Sequence, residues 1–345
     1  MMLNRAIKLS RDKTTTAMNT TLRCFVGRAA ARTSVHSHHL TSKSQQQLAF
    51  VSSLHSPSTS AWLSSNYAAR SFSAASTGQA PEIKLYQYHI CPFCNITKSV
   101  LSYAKLDYEK VEVNPLTKQE LKPWSGDYKK VPIAVIDEEQ VNGSEQIIDA
   151  LLDTQYVQQF LQSRWNDEAS DKDAMTMQQF QNSENSQKWM RYAVDDLAAL
   201  LYPNICGTLG DSYDAFSYVK NVDSFTGGQK ISIQMLGSLA MYFAASRVKS
   251  KRNITDEKKA LKEALDKFEH EGLDNGKLSF CSGVSTPDLG DVAVFGVLYS
   301  VNGLQAHTDS IQLRGGPVKE WYDRMHLSVM GEKAQHQIKL GVTCD

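Results

Sequence analysis

Between Glu82 and Leu152 the apolar positions change period several times, and each change marks an element. Glu82-Ile83-Lys84-Leu85-Tyr86-Gln87-Tyr88 alternates polar and apolar, as a strand with one buried face does. Ile96, Val100, Leu101 and Ala104 then recur at helical spacing. Tyr108 to Val113 alternates again and is ended by Asn114-Pro115. Leu116 to Trp124 predicts a short helix, Val131 to Ile136 a strand entered through Pro132, and Asp137-Glu138-Glu139 a turn into a further strand. Gly143-Ser144 opens a helix carrying Ile147, Ile148, Leu151 and Leu152.

Strand-helix-strand-helix-strand-strand-helix is the order of a thioredoxin fold in its glutaredoxin-like form, so the predicted class is α/β over residues 81–163. Residues 164–185 are polar and uneven and read as a linker. Lys188 to Tyr202, Lys230 to Lys251, Asp256 to Glu271, Leu289 to Val301 and Val318 to Met325 all carry helical spacing, which predicts an all-α second domain over 186–330 and a tail over 331–345. Ile231 to Val248 is the most apolar stretch. Gln234, Gly237, Ser238, Ser246 and Arg247 interrupt it, so it reads as a buried core helix, with a membrane-surface role as the alternative.

Charge separates a leader from the rest. Residues 1–80 hold nine Lys and Arg against one acid, Asp12, and are nearly one third Ser and Thr. Such an Arg-rich, Ser-rich, acid-poor segment reads as an organelle-targeting leader, mitochondrial first, with a plastid or a Golgi, membrane-associated location as alternatives. Arg70-Ser71-Phe72-Ser73 resembles an arginine-proximal cleavage site. Removing 9 basic residues and 1 acid from 37 of each leaves 28 basic and 36 acidic, a net of −8, which argues against a nucleic-acid partner.

Six cysteines are scattered along the chain, and only Cys91 and Cys94 are close. That spacing points to thiol chemistry rather than a disulfide framework. In Cys91-Pro92-Phe93-Cys94, Pro92 suits the first turn of a helix, where its missing N–H costs nothing. Cys91 then faces free N–H groups and the positive end of the helix dipole, which favour a thiolate. A zinc half-site or two packed cysteines are the alternatives. No second Cys-x-x-Cys supplies further ligands, so no metal is expected.

Two further segments complete a candidate site. Val131-Pro132 stands where thioredoxin folds place a cis proline, leaving the Val131 backbone free to bond an extended peptide such as glutathione. At Gly143-Ser144-Glu145 a hydroxyl and free N–H groups at a helix start suit a carboxylate, although Ser144 could be only an N-cap. In the helical half, Asp288-Leu289-Gly290-Asp291 reads as a capping box with Asp288 as N-cap, a structural feature worth roughly 1–2 kcal/mol.

With these motifs assembled, the chain resembles the membrane-associated prostaglandin E synthase type 2 family over roughly residues 81–330. Leu85-Tyr86-Gln87-Tyr88, Cys91-Pro92-Phe93-Cys94, Val111-Glu112-Val113-Asn114-Pro115, Lys130-Val131-Pro132-Ile133 and the run from Asp288 to Leu298 carry the resemblance. It implies a glutathione-transferase-like homodimer, peripheral to a membrane, that isomerises a fatty-acid endoperoxide, prostaglandin H2, to prostaglandin E2. It further implies Cys91 as the reacting thiol, a hydrogen bond from Tyr88 to it, Cys94 as its partner, and a glutathione site of Phe93, Val131, Pro132, Gly143 and Ser144. The family has an aspartate where this chain has Gly143, which weakens the γ-glutamyl contact. Haem is also implied, its propionates met by basic residues one turn apart; Arg247 and Lys251 stand at that spacing, and Lys251 lacks the planar fork of an arginine. Two other functions use the same residues: a glutathione-dependent thiol-disulfide oxidoreductase, and a non-enzymatic protein binding glutathione and haem.

Overall fold

The computed structural model describes residues 78–168 and 174–331. All but three residues of the leader, and the tail after Gly331, lie outside the described residues. Ile83–Gln87 is strand β1, Pro92–Tyr103 helix α1, Glu109–Glu112 β2, Ile133–Ile136 β3, Glu139–Asn142 β4 and Ser144–Leu152 helix α2. The sheet order is β2-β1-β3-β4, with β1 parallel to β2 and antiparallel to β3, and β3 antiparallel to β4. Leu85 pairs with Ala134, which pairs with Val141. Alternation places Ile83, Leu85 and Gln87 on the buried face of β1. This is the thioredoxin arrangement, and a mostly helical remainder completes a glutathione-transferase-like fold.

The helix expected over Leu116 to Trp124 does not form; the segment is a succession of turns. Asn114 explains why. Its side-chain oxygen accepts hydrogen bonds from the N–H groups of Leu116 (3.0 Å) and Thr117 (3.1 Å), and Lys118 takes φ 51°, so a local polar turn outcompetes the helix.

The linker reading of 164–185 also needs correction, because helices occupy both ends, Gln155–Glu168 and Met177–Asn182. Trp165 is buried and its indole N–H donates to the Tyr103 hydroxyl at 3.0 Å, while Arg164 donates to the Tyr103 carbonyl (2.7 Å) and the Ser328 carbonyl (2.9 Å). The supposed spacer therefore ties the end of α1 to the last helix. Its polarity misled because the few large apolar side chains that turn inward, Trp165, Met175 and Phe180, are scattered among polar ones.

In the helical half the predicted segments are present, two of them as pairs of helices joined by a wide π-type turn, at Tyr192–Leu197 and Ile233–Gly237, while such a turn at Phe268–Gly272 ends the helix Glu257–Lys267. Leu289–Tyr299 is buried from Leu289 to Leu298, the pattern of a central helix, and α1 packs along it. Its N-terminus is the expected capping box of Asp288 and Asp291. Ser238–Lys251 and the turns before it are less buried than expected. Ile233, Gly237, Met241, Ala244 and Ala245 face inward, but Ile231, Met235, Leu236, Leu239 and Phe243 are exposed. Only one face had a neighbour to cover it. Among the described residues no helix is long and apolar enough to cross a membrane.

Candidate functional site

Cys91 occupies the N-cap position of α1 with extended backbone (φ −77°, ψ 120°), and Pro92 is the first helical residue, as its fixed φ and missing N–H favour. The loop before it is pinned on both sides: the Cys91 N–H donates to the Tyr88 carbonyl at 3.1 Å, and the Asn95 amide donates to the carbonyls of His89 (2.7 Å) and Cys91 (2.9 Å). Cys91 is half-buried and Cys94 fully buried. All four described cysteines are free thiols.

The two thiols are pushed apart electrostatically. Hydrogen bonding from the Cys94 thiol, with help from the Cys94 and Phe93 N–H groups and the charge of Lys98, holds Cys91 below the ordinary thiol range despite burial. Burial, and the bond to Cys91, push Cys94 well up. Cys91 is the more acidic thiol of the two and Cys94 its hydrogen-bond donor.

Cys91 opens on an apolar cavity walled by both halves of the molecule. Tyr88, Phe93, Pro115 and Val131 come from the sheet half; Tyr202, Phe216, Tyr218 and Met241 come from the helical half. The Val131–Pro132 peptide bond is cis, and pairing of β3 begins only at Ile133, so the Val131 backbone takes no part in the ladder. The Pro132 carbonyl accepts from the Gly143 N–H at 3.0 Å, which links the cis turn to the start of α2.

Gly143 is the N-cap of α2 at φ 91°, a conformation that favours glycine and accounts for the absence of a larger residue. Ser144 is therefore the first residue of the helix and not its N-cap. Its hydroxyl and the N–H groups of the first turn remain at the helix mouth, the chemistry an anionic group requires.

Cys91, Tyr88, Phe93 and Val131 thus converge on one cavity, with Cys94 buried behind them; Pro132, Gly143 and Ser144 do not line it, and Gly143 is tied to Pro132 by its backbone hydrogen bond. One expectation needs correction. The Tyr88 hydroxyl is buried without a hydrogen bond, so the expected bond to Cys91 is not made; its link to Cys91 is the backbone one. Arg247 and Lys251, the residues expected to meet haem propionates, are exposed, and neither lines the cavity of Cys91. Sequence reading missed Tyr202, Phe216, Tyr218 and Met241, whose spacing marks only ordinary helix faces, and Glu112, which looked like one polar position of an alternating strand.

Residues 85–159 match the family model of the glutathione S-transferase N-terminal domain. Over 287 residues the chain is 30% identical to prostaglandin E synthase 2 of Mus musculus, covering 74% of this chain and 73% of that protein. Against prostaglandin E synthase 2 of Danio rerio it is 31% identical over 276 residues, with 71% and 70% covered. Among solved structures, glutathione S-transferase III in its apo form aligns at 15% identity with a TM-score of 0.42, over 74% of this chain and 97% of that one. Identity at this level and coverage near three quarters on both sides assign the chain: it belongs to the prostaglandin E synthase 2 family.

Proposed function

We propose that this protein is a prostaglandin E synthase-type isomerase that opens a fatty-acid endoperoxide to a ketone and an alcohol through the Cys91 thiolate. The observation that carries the reading is the placing of Cys91, its thiol held below the ordinary range by the Cys94 thiol, at an apolar, aromatic-walled cavity. A small disulfide needs no such cavity. A long-chain lipid peroxide does.

The chemistry follows from the sulfur. The thiolate attacks one peroxide oxygen; the O–O bond breaks and its electron pair leaves on the second oxygen, which takes a proton to become the alcohol. Loss of the hydrogen on the carbon bearing the S–O group forms the C=O bond, breaks S–O and returns the thiolate, so no net oxidation occurs. Cys94, pushed up and protonated, stabilises the thiolate at both ends of the cycle. Glutathione would be held by the Val131 backbone, Phe93 and the Ser144 helix start; when bound it supplies a second thiol beside Cys91.

The test is to give purified protein a prostaglandin endoperoxide and, separately, a mixed glutathione disulfide. Isomerisation lost in Cys91→Ser is expected. Turnover of the disulfide alone would replace the isomerase by the thiol-disulfide oxidoreductase.

A further inference from the structure

Isomerisation needs a proton for one oxygen and a base for one carbon, and Cys91 supplies neither. A second polar device touches the same cavity. Glu112, at the end of β2, is only 7% exposed. Its carboxylate accepts from the Gln87 side-chain amide at 2.6 Å and from the His89 N–H at 2.7 Å. From the helical half, Tyr218 lines the cavity with Cys91 and stacks on His89, the residue whose N–H bonds Glu112, with ring centroids 5.1 Å apart; burial first, and the neighbouring charge of Glu112 with it, push the Tyr218 hydroxyl well up. Tyr218 thus stands, with His89 against it, between a buried carboxyl and the space where a substrate of Cys91 must lie.

We propose that Tyr218 is the acid–base residue of the isomerisation and that Glu112 acts behind it as the proton store. This rests on the isomerase reading. When thiolate attack breaks the O–O bond, the Tyr218 hydroxyl protonates the departing oxygen and recovers a proton from the Glu112 carboxyl. When the carbonyl forms, the carbon-bound hydrogen leaves as a proton to Tyr218 and Glu112, which restores the starting state. One proton leaves the pair and one returns. The substrate gains and loses none.

The surroundings of Glu112 suit both charge states. Burial pushes its pKa up to about 6, within reach of neutral chemistry, against the opposing help of the His89 N–H, Lys98 on α1, Gln87 on β1 and its strand neighbour Lys110. The Gln87 side-chain oxygen is buried without a partner while its NH2 bonds Glu112. Rotating that amide would present an acceptor to a protonated carboxyl, so Gln87 can serve either form. Tyr202, the other buried hydroxyl facing Cys91 from the helical half, shows no such carboxyl partner among the groups that shift it.

Infrared difference titration of the Glu112 carboxyl in the full chain, alongside endoperoxide kinetics, tests the pair. The carboxyl band, identified by its loss in Glu112→Gln, should titrate near pH 6 and shift in Tyr218→Phe, which removes the hydroxyl beside it. Both variants should lose kcat by roughly a hundred-fold with little change in KM, and Glu112→Gln should abolish the fall in kcat expected as pH rises through about 6. Gln can keep the His89 bond and pair with a rotated Gln87, so this variant folds; Cys91 alkylation at the wild-type rate verifies an intact site. Wild-type kcat in either variant, or a Glu112 band blind to Tyr218→Phe, overturns the proposal. A band that behaves as expected in a wild-type protein that leaves the endoperoxide unchanged supports the coupled pair and overturns the isomerase reading instead.

Discussion

Gly296 rests on the backbone of Ile96: a Cβ built on Gly296 would stand 2.7 Å from the Ile96 Cα and 2.9 Å from the Asn95 carbonyl oxygen. The central helix of one half and the thiol-bearing helix of the other touch there backbone to backbone, and Asn95 is also the residue that pins the Cys91 loop. Packing and chemistry share this contact.

Gly296→Ala should therefore destabilise the fold by about 1–3 kcal/mol, since neither backbone can yield cheaply. By pushing α1 away it should also change the rate at which Cys91 is alkylated. Chemical denaturation and iodoacetamide kinetics on the same sample measure both. A fully stable variant with unaltered alkylation would contradict the close contact.

Cys94→Ala removes the thiol that donates to Cys91, the largest influence lowering its pKa. The alkylation midpoint of Cys91, which should lie below that of an ordinary thiol in the wild type, is expected to rise, and the rate at neutral pH to fall. An unmoved midpoint would mean that the helix N–H groups and Lys98 suffice alone.

Asp291 is worth more than the capping box predicted from sequence. Its carboxylate accepts from the N–H groups of Cys281 (2.9 Å) and Asp288 (3.2 Å) and from the indole of Trp321 (2.8 Å), all buried, and from the half-buried Ser282 N–H (3.2 Å). Asp291→Ala leaves several buried donors unsatisfied and should cost about 3–5 kcal/mol, beyond the roughly 1–2 kcal/mol of a cap. Denaturant midpoints decide between the two figures.

Stability should depend on pH through Glu112. Burial raises its folded pKa to about 6 from an ordinary 4.5, so the folded state holds the proton more tightly. A raised pKa contributes stability that is complete below about pH 4.5 and is lost as pH climbs through about 6. The loss is about 2 kcal/mol at roughly 1.4 kcal/mol per pH unit. Glu112→Gln should flatten that part of the profile and be the more stable protein at pH 7. Parallel wild-type and variant profiles would show that Glu112 titrates normally.

The sequence by itself determined what depends on near neighbours: β1 and α1 from their periods, the N-terminal placement of Cys91 from Pro92, the cis turn from Val131-Pro132, and the capping box from Asp288 and Asp291. Each is settled within a turn or two of chain, where spacing and residue type act directly. Where a polar side chain could close a local ring, as Asn114 does, periodicity misled even at short range. Only the tertiary structure decided that Tyr202, Phe216, Tyr218 and Met241 wall the cavity of Cys91, that Glu112 is buried against Gln87 and His89, and that Arg247 and Lys251 are exposed and do not line that cavity. Those relations join segments far apart in the chain. They arise from how one half packs on the other, at contacts such as Gly296 on Ile96, and no local pattern encodes them.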